Sequence, residues 1–278
     1  MAAEPKTCYR HPGRETYVSC SNCLRPICTD CMVQTAVGIK CPECAGVPTG
    51  VKKVTTRAKQ AAGEGTGALA TKILIGVNVL VFLAVQGQGG PRTSEIYREG
   101  LLYGPLVADG EWWRLVTSGF LHVDFRHILF NMVMLWFFGS QLEALLGRGR
   151  FLTVYMLSLL TGSAVALVVD SAVPTVGASG AVFGVLGAGL LIERRGIMVF
   201  GGAALIIVGL NLVFSFRPGI SWGGHVGGLI GGMLAVVVLG GLRGHVAYSK
   251  LTPIRIAGLA AIAVGSLVVS YFAVAQYM

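Results

Sequence analysis

Hydrophobic positions along this chain are unevenly spread. From residue 70 onward they gather into long apolar runs broken by short polar or basic segments. A run that spans a bilayer needs about 20 apolar residues, and a water-soluble core could not bury so many of them. The pattern predicts seven spans, near residues 70–86, 126–146, 151–169, 179–193, 197–215, 222–242 and 254–276. A long polar-aromatic loop, 87–125, follows the first. The fourth span is short. Gly177-Ala178-Ser179-Gly180 opens it after Pro174, so its helix is expected to begin below the membrane surface with irregular backbone above. Such backbone is tolerated at membrane depth only inside protein or beside a water-filled cavity, which predicts a wet pocket near Ser179.

Composition agrees with a membrane protein. Of 278 residues, 54% are hydrophobic and 13% charged, against about 25% charged in soluble domains. The opening residues contain no apolar stretch of the kind that makes a cleaved signal peptide. The net charge of +9 would suit a nucleic-acid partner, but the basic residues sit between apolar runs, where membrane topology places them. Nucleic acid is therefore not expected. Lys52, Lys53, Arg57 and Lys59 precede the first span, Arg148 and Arg150 follow the second, Arg194 and Arg195 the fourth, and Arg243, Lys250 and Arg255 the sixth. With seven spans these all fall on one side. That side is expected to be cytoplasmic, with the N-terminus inside and the C-terminus outside a plasma membrane. The 87–125 loop is the exception, mixing Arg92, Arg98 and Arg114 with five acidic residues.

Ionisable groups inside spans are costly and are functional candidates by default. His127 and Asn131 lie on the second span with His122 just before it, Ser179 opens the fourth, and His225 is about one turn into the sixth. These three spans run in the same direction, so the polar positions share one depth near the outer face. A serine hydroxyl needs a neighbouring base to become a nucleophile, and imidazole serves near neutral pH. His127, the Asn131 amide and the Ser179 backbone N–H are candidate donors to an oxyanion. No carboxylate accompanies His225 in the spans, which favours a dyad over a triad. No HExxH is present, so a zinc protease lacks its ligands. Taken singly, a serine in a span more often bonds its own i−4 carbonyl, and a lone histidine can be a helix–helix hydrogen bond. Their joint depth argues for chemistry. Gly223, Gly227 and Gly231, and Gly224, Gly228 and Gly232 one position on, repeat every four residues on the sixth span, as Gly180, Gly184 and Gly187 do more loosely on the fourth. Small residues let membrane helices approach closely, which would bring Ser179 and His225 together.

These residues resemble the rhomboid intramembrane serine proteases over roughly residues 70–242, with an additional C-terminal span. Trp113-Arg114 is similar to the family's loop pair, His122, His127 and Asn131 to HxxxxHxxxN, Gly177-Ala178-Ser179-Gly180 to GxSG, and His225, Gly228 and Gly232 to HxxGxxxG. Glu143 matches a recurrent position on the second span. The resemblance implies an all-α polytopic fold with a six-helix core plus a seventh helix. It also implies a catalytic pair of Ser179 as nucleophile and His225 as general base, without a catalytic cofactor, and an oxyanion site of His127, Asn131 and the Ser179 amide. Transmembrane protein substrates would be cut near their outer ends. Two departures are mild: Gly224 stands where the family often has Ala, and Phe183 where it often has Tyr. Trp113 and Arg114 are expected to be structural.

The first 46 residues are of another kind. They carry all seven cysteines of the chain in the pattern Cys8-x-x-His11, Cys20-x-x-Cys23, Cys28-x-x-Cys31, Cys41-x-x-Cys44. Seven cysteines pair badly as disulfides, whereas eight ligands with His11 suit two tetrahedral zinc sites, closed and therefore structural. A reducing cytoplasmic location also favours metal. The module resembles B-box-type zinc domains, which implies that Cys8, His11, Cys28 and Cys31 share one zinc and Cys20, Cys23, Cys41 and Cys44 the other; spacing alone leaves sequential pairing open. Such modules usually bind protein, so a cytoplasmic protein partner is expected. The organisation expected is a zinc module at 1–46, a flexible basic linker at 47–69 and a membrane domain at 70–278. Two rivals to the protease stand: a non-proteolytic scaffold that retains membrane helices, with the head recruiting partners, and a transporter with a midplane binding pocket.

Overall fold

The computed structural model describes residues 5–35, 38–45, 67–240 and 251–278. It divides into two compact units, 1–59 and 60–278. Most of the predicted linker, up to residue 66, lies outside the described residues, as do Arg243 and Lys250.

The N-terminal unit is built from two short antiparallel pairs. Strand β1 (Lys6–Cys8) pairs with β2 (His11–Thr16), and β3 (Val33–Thr35) with β4 (Gly38–Lys40). A two-stranded ribbon is marginal by itself, and the apolar core here is small. Its buried members are Cys8, Cys20, Cys28, Cys31, Cys41 and Ile27.

The second unit is helical. Helix α1 (Leu69–Gly87) is followed by a loop holding three short helices, α2 (Glu95–Gly100), α3 (Gly104–Ala108) and α4 (Arg114–Thr117). Then come α5 (Phe125–Leu146), which has a π-helical turn at Leu135–Gly139, and α6 (Arg148–Asp170). Three shorter apolar helices follow: α7 (Ser179–Glu193), α8 (Ala204–Ser215) and α9 (Trp222–Val238). The last is α10 (Pro253–Tyr277). Among the described residues, α1, α5, α6 and α10 are long and apolar enough to cross a membrane by length and composition. Large apolar side chains such as Leu80, Phe130, Phe137, Val213 and Phe272 are exposed on these helices, as a lipid-facing surface requires.

Every predicted span contains one of these seven helices, with one boundary correction. The fifth does not begin near residue 197. Glu193 at the end of α7 accepts hydrogen bonds from the backbone N–H groups of Val199, Gly202 and Ala204, each at 3.1 Å, and from that of Phe200. Gly201 and Gly202 have φ of +69° and +84°, a left-handed conformation that interrupts a right-handed helix. The chain therefore loops around one carboxylate, and α8 starts only at Ala204.

The two glycine repeats of α9 divide their work. A Cβ on Gly228 would lie 1.9 Å from the Gly180 carbonyl oxygen, and one on Gly232 would lie 2.0 Å from that of Gly184. This face meets α7. A Cβ on Gly227 would lie 2.6 Å from the Thr161 carbonyl oxygen, and one on Gly231 would lie 1.8 Å from Thr161 Oγ1. That face meets α6. The expectation of a close fourth–sixth contact thus describes one repeat, while the other seats α9 on the third span.

Candidate active site

Ser179 is the first residue of α7, where the backbone leaves an irregular segment. That segment is held at both sides. Leu102 and Thr175 form an antiparallel bridge between the long loop and the 171–178 connection, and the Gly177 N–H donates to the Ser118 carbonyl at 2.9 Å. Gly177 has φ +127°, and a Cβ there would lie 2.7 Å from His127 Nε2. Glycine is therefore required on two counts: the left-handed backbone and the closeness of the imidazole.

His225 lies in the first turn and a half of α9, a helix capped by Ser221, whose hydroxyl accepts from the Gly224 N–H at 3.3 Å. The interlocked glycines let α7 and α9 touch along their backbones, and at the end of that contact His225 Nε2 is 2.7 Å from Ser179 Oγ. Phe183, one turn below the serine, stacks flat on the imidazole with centroids 4.2 Å apart and planes 13° from parallel. His225 Nδ1 meets the buried hydroxyl of Ser215 on α8 at 2.6 Å.

His127 and Asn131 enter the same cavity from α5. Asp124 caps that helix by accepting the His127 N–H at 2.8 Å, and Asn131 Nδ2 donates to the His127 carbonyl at 3.0 Å. His122 is fully buried and meets the His127 ring edge-on, centroids 4.9 Å apart. The cavity has a volume of about 670 Å³ and is lined by Ser179, His225, His127, Asn131, Gly177 and Phe183 among others. Asp124, Arg126 and Arg217 are the charged groups besides histidine in its lining, and Ser163, Asn211, Ser215 and Ser221 add polar side chains.

The remaining singled-out residues frame the site from a distance. Arg114 is 1% exposed. Its guanidinium donates to Glu111 at 2.6 Å and to the carbonyls of Arg98 and Leu101 at 2.8 and 2.9 Å. Trp113 Nε1 donates to the Glu99 carbonyl at 3.1 Å. Together they brace the loop that carries Leu102. Glu143 is buried in α5 and accepts from the Ala70 and Thr71 N–H groups at 3.0 and 2.8 Å and from the Thr71 hydroxyl at 2.8 Å. It satisfies the open first turn of α1, where backbone donors have no helical partner. Sequence reasoning did not single out Ser215, Ser118, Asp124 or Glu193. A carboxylate at a span end and a serine within one are unremarkable without the contacts they make.

In the head, two groups of four ligands form, each with its donor atoms within 4.8 Å of one another: Cys8, His11, Cys28 and Cys31, and Cys20, Cys23, Cys41 and Cys44. The alternate pairing is the one the fold assembles. None of the seven cysteines is in a disulfide. His11 Nδ1 lies 3.2 Å from Cys28 Sγ and 3.4 Å from Cys31 Sγ, Cys8 Sγ lies 3.9 Å from Cys31 Sγ, and Cys23 and Cys41 sulfurs are 3.6 Å apart. Zinc–sulfur bonds of about 2.3 Å in a tetrahedron give sulfur–sulfur edges of roughly 3.8 Å, so the donor sets fit such an ion. Charge points the same way. Burial alone would raise the Cys8 thiol, but backbone hydrogen bonds from Cys28 and Arg10 bring it down to about 6. Burial and then its hydrogen bonds with Cys8 and Cys28 push Cys31 up to about 12. Thiolates this close repel one another, and a divalent cation at their centre removes the repulsion.

Comparison with known proteins follows this geometry. The Rhomboid domain family profile matches residues 109–242, the stretch that contains Arg114, α5 and every residue lining the cavity except Leu102. "Rhomboid protease GluP" of Bacillus subtilis (strain 168) is 39% identical over 176 residues, covering 61% of this chain and 34% of that protein. "RHOMBOID-like protein 5" of Arabidopsis thaliana is 38% identical over 158 residues, 54% of this chain and 51% of that one. The chain thus spans about a third to a half of the length of these two relatives. "Putative rhomboid protease YdcA" of Bacillus subtilis is 38% identical over 134 residues, 46% of this chain and 67% of that protein. With two-thirds of that relative covered at this identity, and apolar helices of membrane-spanning length around the matched region, this chain belongs to the rhomboid family of membrane proteins.

Proposed function

We propose that the protein is an intramembrane serine endopeptidase that cuts transmembrane protein substrates near the outer face of the bilayer. The observation that carries this reading is the 2.7 Å contact between Ser179 Oγ and His225 Nε2 inside a cavity of about 670 Å³. Relatives named as rhomboid proteases support it.

The chemistry runs as acyl transfer. Ser179 Oγ attacks the scissile carbonyl carbon while its proton passes to His225 Nε2. The carbonyl oxygen becomes an oxyanion, for which the Ser179 N–H in the first turn of α7, His127 and Asn131, all lining the one cavity, are the donors. The positive end of the α7 dipole adds to this stabilisation. Collapse breaks the C–N bond, and the proton on His225 goes to the departing amine. Water then attacks the acyl carbon, giving one proton to His225; collapse breaks the bond to Ser179 Oγ, which takes that proton back from His225 Nε2, and the new carboxyl group leaves. The flat face of Phe183 fixes the imidazole plane. Helix α7 is short and opens on irregular backbone, which is tolerated at membrane depth beside a water-filled cavity, the source of the water that hydrolysis consumes.

The head reads as a structural double-zinc module, Cys8, His11, Cys28 and Cys31 holding one ion and the other four cysteines the second. Arg25 donates to the Cys23 and Cys41 sulfurs at 3.2 and 3.7 Å, which steadies thiolates. Four protein ligands close each site, so its contribution is folding rather than catalysis. The distribution of Lys and Arg supports a plasma-membrane orientation with the N-terminus cytoplasmic and the C-terminus outside. A cytoplasmic protein partner is the expected use of the head.

The test is cleavage of a reporter transmembrane substrate in proteoliposomes by the full chain and by Ser179→Ala. The parent is expected to release the two fragments and the variant, inserted to the same extent, to release none. Equal release by both would remove the protease reading.

A further inference from the structure

Ser215 sits at the end of α8, 1% exposed, and its hydroxyl has two neighbours. Its Oγ is 2.8 Å from the Asn211 carbonyl oxygen and 2.6 Å from His225 Nδ1. The hydroxyl owns one proton, and a carbonyl can only accept. If that proton goes to Asn211, the oxygen is left as an acceptor facing Nδ1, and the pair is satisfied only when Nδ1 carries hydrogen. Neutral imidazole has a single N–H. A hydrogen on Nδ1 leaves Nε2 with its lone pair, facing the Ser179 hydroxyl at 2.7 Å. All three groups are then paired, and the pair at Ser179 is aligned for proton removal. The opposite tautomer, with hydrogen on Nε2, turns Ser215 around to donate to Nδ1 and forfeits its bond to Asn211. It also sets Nε2–H against the serine oxygen, where it cannot act as a base.

We infer that Ser215 is a positioning residue that holds His225 in the tautomer able to accept the Ser179 proton, through a chain running Asn211 carbonyl, Ser215 hydroxyl, His225, Ser179. The inference rests on the protease reading for its consequence, but the tautomer itself is a property of the resting protein. It supplies what a carboxylate would supply in a triad, orientation and tautomer, without a buried charge. That suits a site in the membrane, where an unpaired carboxylate is costly. It also gives α8 a chemical link to the centre: moving the end of that helix withdraws the acceptor from Nδ1.

The experiment uses the full chain in lipid, labelled with 15N-histidine, and the Ser215→Ala and Ser215→Thr variants. Nitrogen chemical shifts report which ring nitrogen of His225 bears hydrogen; His225→Ala assigns the signal. The parent and Ser215→Thr are expected to show hydrogen on Nδ1, and Ser215→Ala a mixture. On the reporter substrate, Ser215→Ala is expected to lose roughly five- to tenfold in kcat with KM unchanged, the equilibrium worth of one ordinary hydrogen bond, and Ser215→Thr to recover most of it. A parent that shows the Nδ1–H tautomer but does not cleave would sink the protease reading and leave the tautomer assignment standing. An unchanged tautomer and kcat in Ser215→Ala, or equal loss in the Ala and Thr variants, would overturn the positioning role.

Discussion

The buried positions of the two units are made of different matter. In the head they are sulfur, Cys8, Cys20, Cys28, Cys31 and Cys41, with Ile27 the aliphatic member among the described residues. In the membrane unit they are mostly Leu, Val, Ala and Phe from α1 and from α5 to α9, with glycines where backbones meet. The head has too little apolar surface to offset its chain entropy, so its ligands must be held by something stronger than packing. The membrane unit has abundant apolar surface but gains little from hiding it, since lipid is as apolar as the core. Its order comes from close helix contact and from buried polar bonds, and Ser179 and His225 are brought together by that same contact. Polar groups are thus the framework of the head, and in the membrane unit buried ones such as Arg114 and Glu143 fix a loop and a helix end.

Four changes should affect the two units differently. Removing metal should be the largest. Structural zinc sites of this donor type bind with about 10–16 kcal/mol, so a chelator strong enough to strip the head should abolish its fold, while helix content of the membrane unit stays unchanged. Metal analysis of purified protein should return about two zinc ions per chain. A zinc-free head that keeps its fold would end the comparison. Next, His225→Ala should lower turnover by about 10⁴-fold or more without altering insertion, because the group acts on a proton rather than on packing. Gly228→Ala comes third. Its Cβ would fall 1.9 Å from the Gly180 carbonyl oxygen, forcing α7 and α9 apart at a cost of about 1–3 kcal/mol; thermal unfolding and cleavage should both suffer. Gly265→Ala, where a Cβ meets nothing within 4 Å, is the matched control on α10. The smallest is Phe183→Tyr, which keeps the stacked face and should change kcat/KM by less than about threefold.

Much of the membrane unit could be read from the chain, and the reason is physical. A histidine in an apolar run is rare enough to stand out, so His225 and His127 are visible in the sequence, and Ser179 and Asn131 join them once their expected depths agree. Four C-x-x-C or C-x-x-H pairs were visible for the same reason. What stayed hidden depends on contacts between segments. Glu193 looks like a polar flank until four backbone N–H groups are seen to converge on it, and without that the start of α8 falls seven residues early. Ser215 looks like a serine bonded to its own helix, which it is, at 2.8 Å from the Asn211 carbonyl. Only the position of His225 reveals the second bond. The glycine repeats were legible as contact faces, but which neighbour each face meets is decided by the packing of three helices.

The central claim is that one hydroxyl and one imidazole, brought together by the backbone contact of α7 and α9, act as a unit. The most direct measurement is labelling of the full chain in membranes with a fluorophosphonate probe, with the modified residue located by mass spectrometry. The account predicts one adduct, on Ser179, in the parent protein and none in His225→Ala at equal insertion. An adduct that persists in His225→Ala, or an intact protein whose Ser179 takes no label, would contradict it.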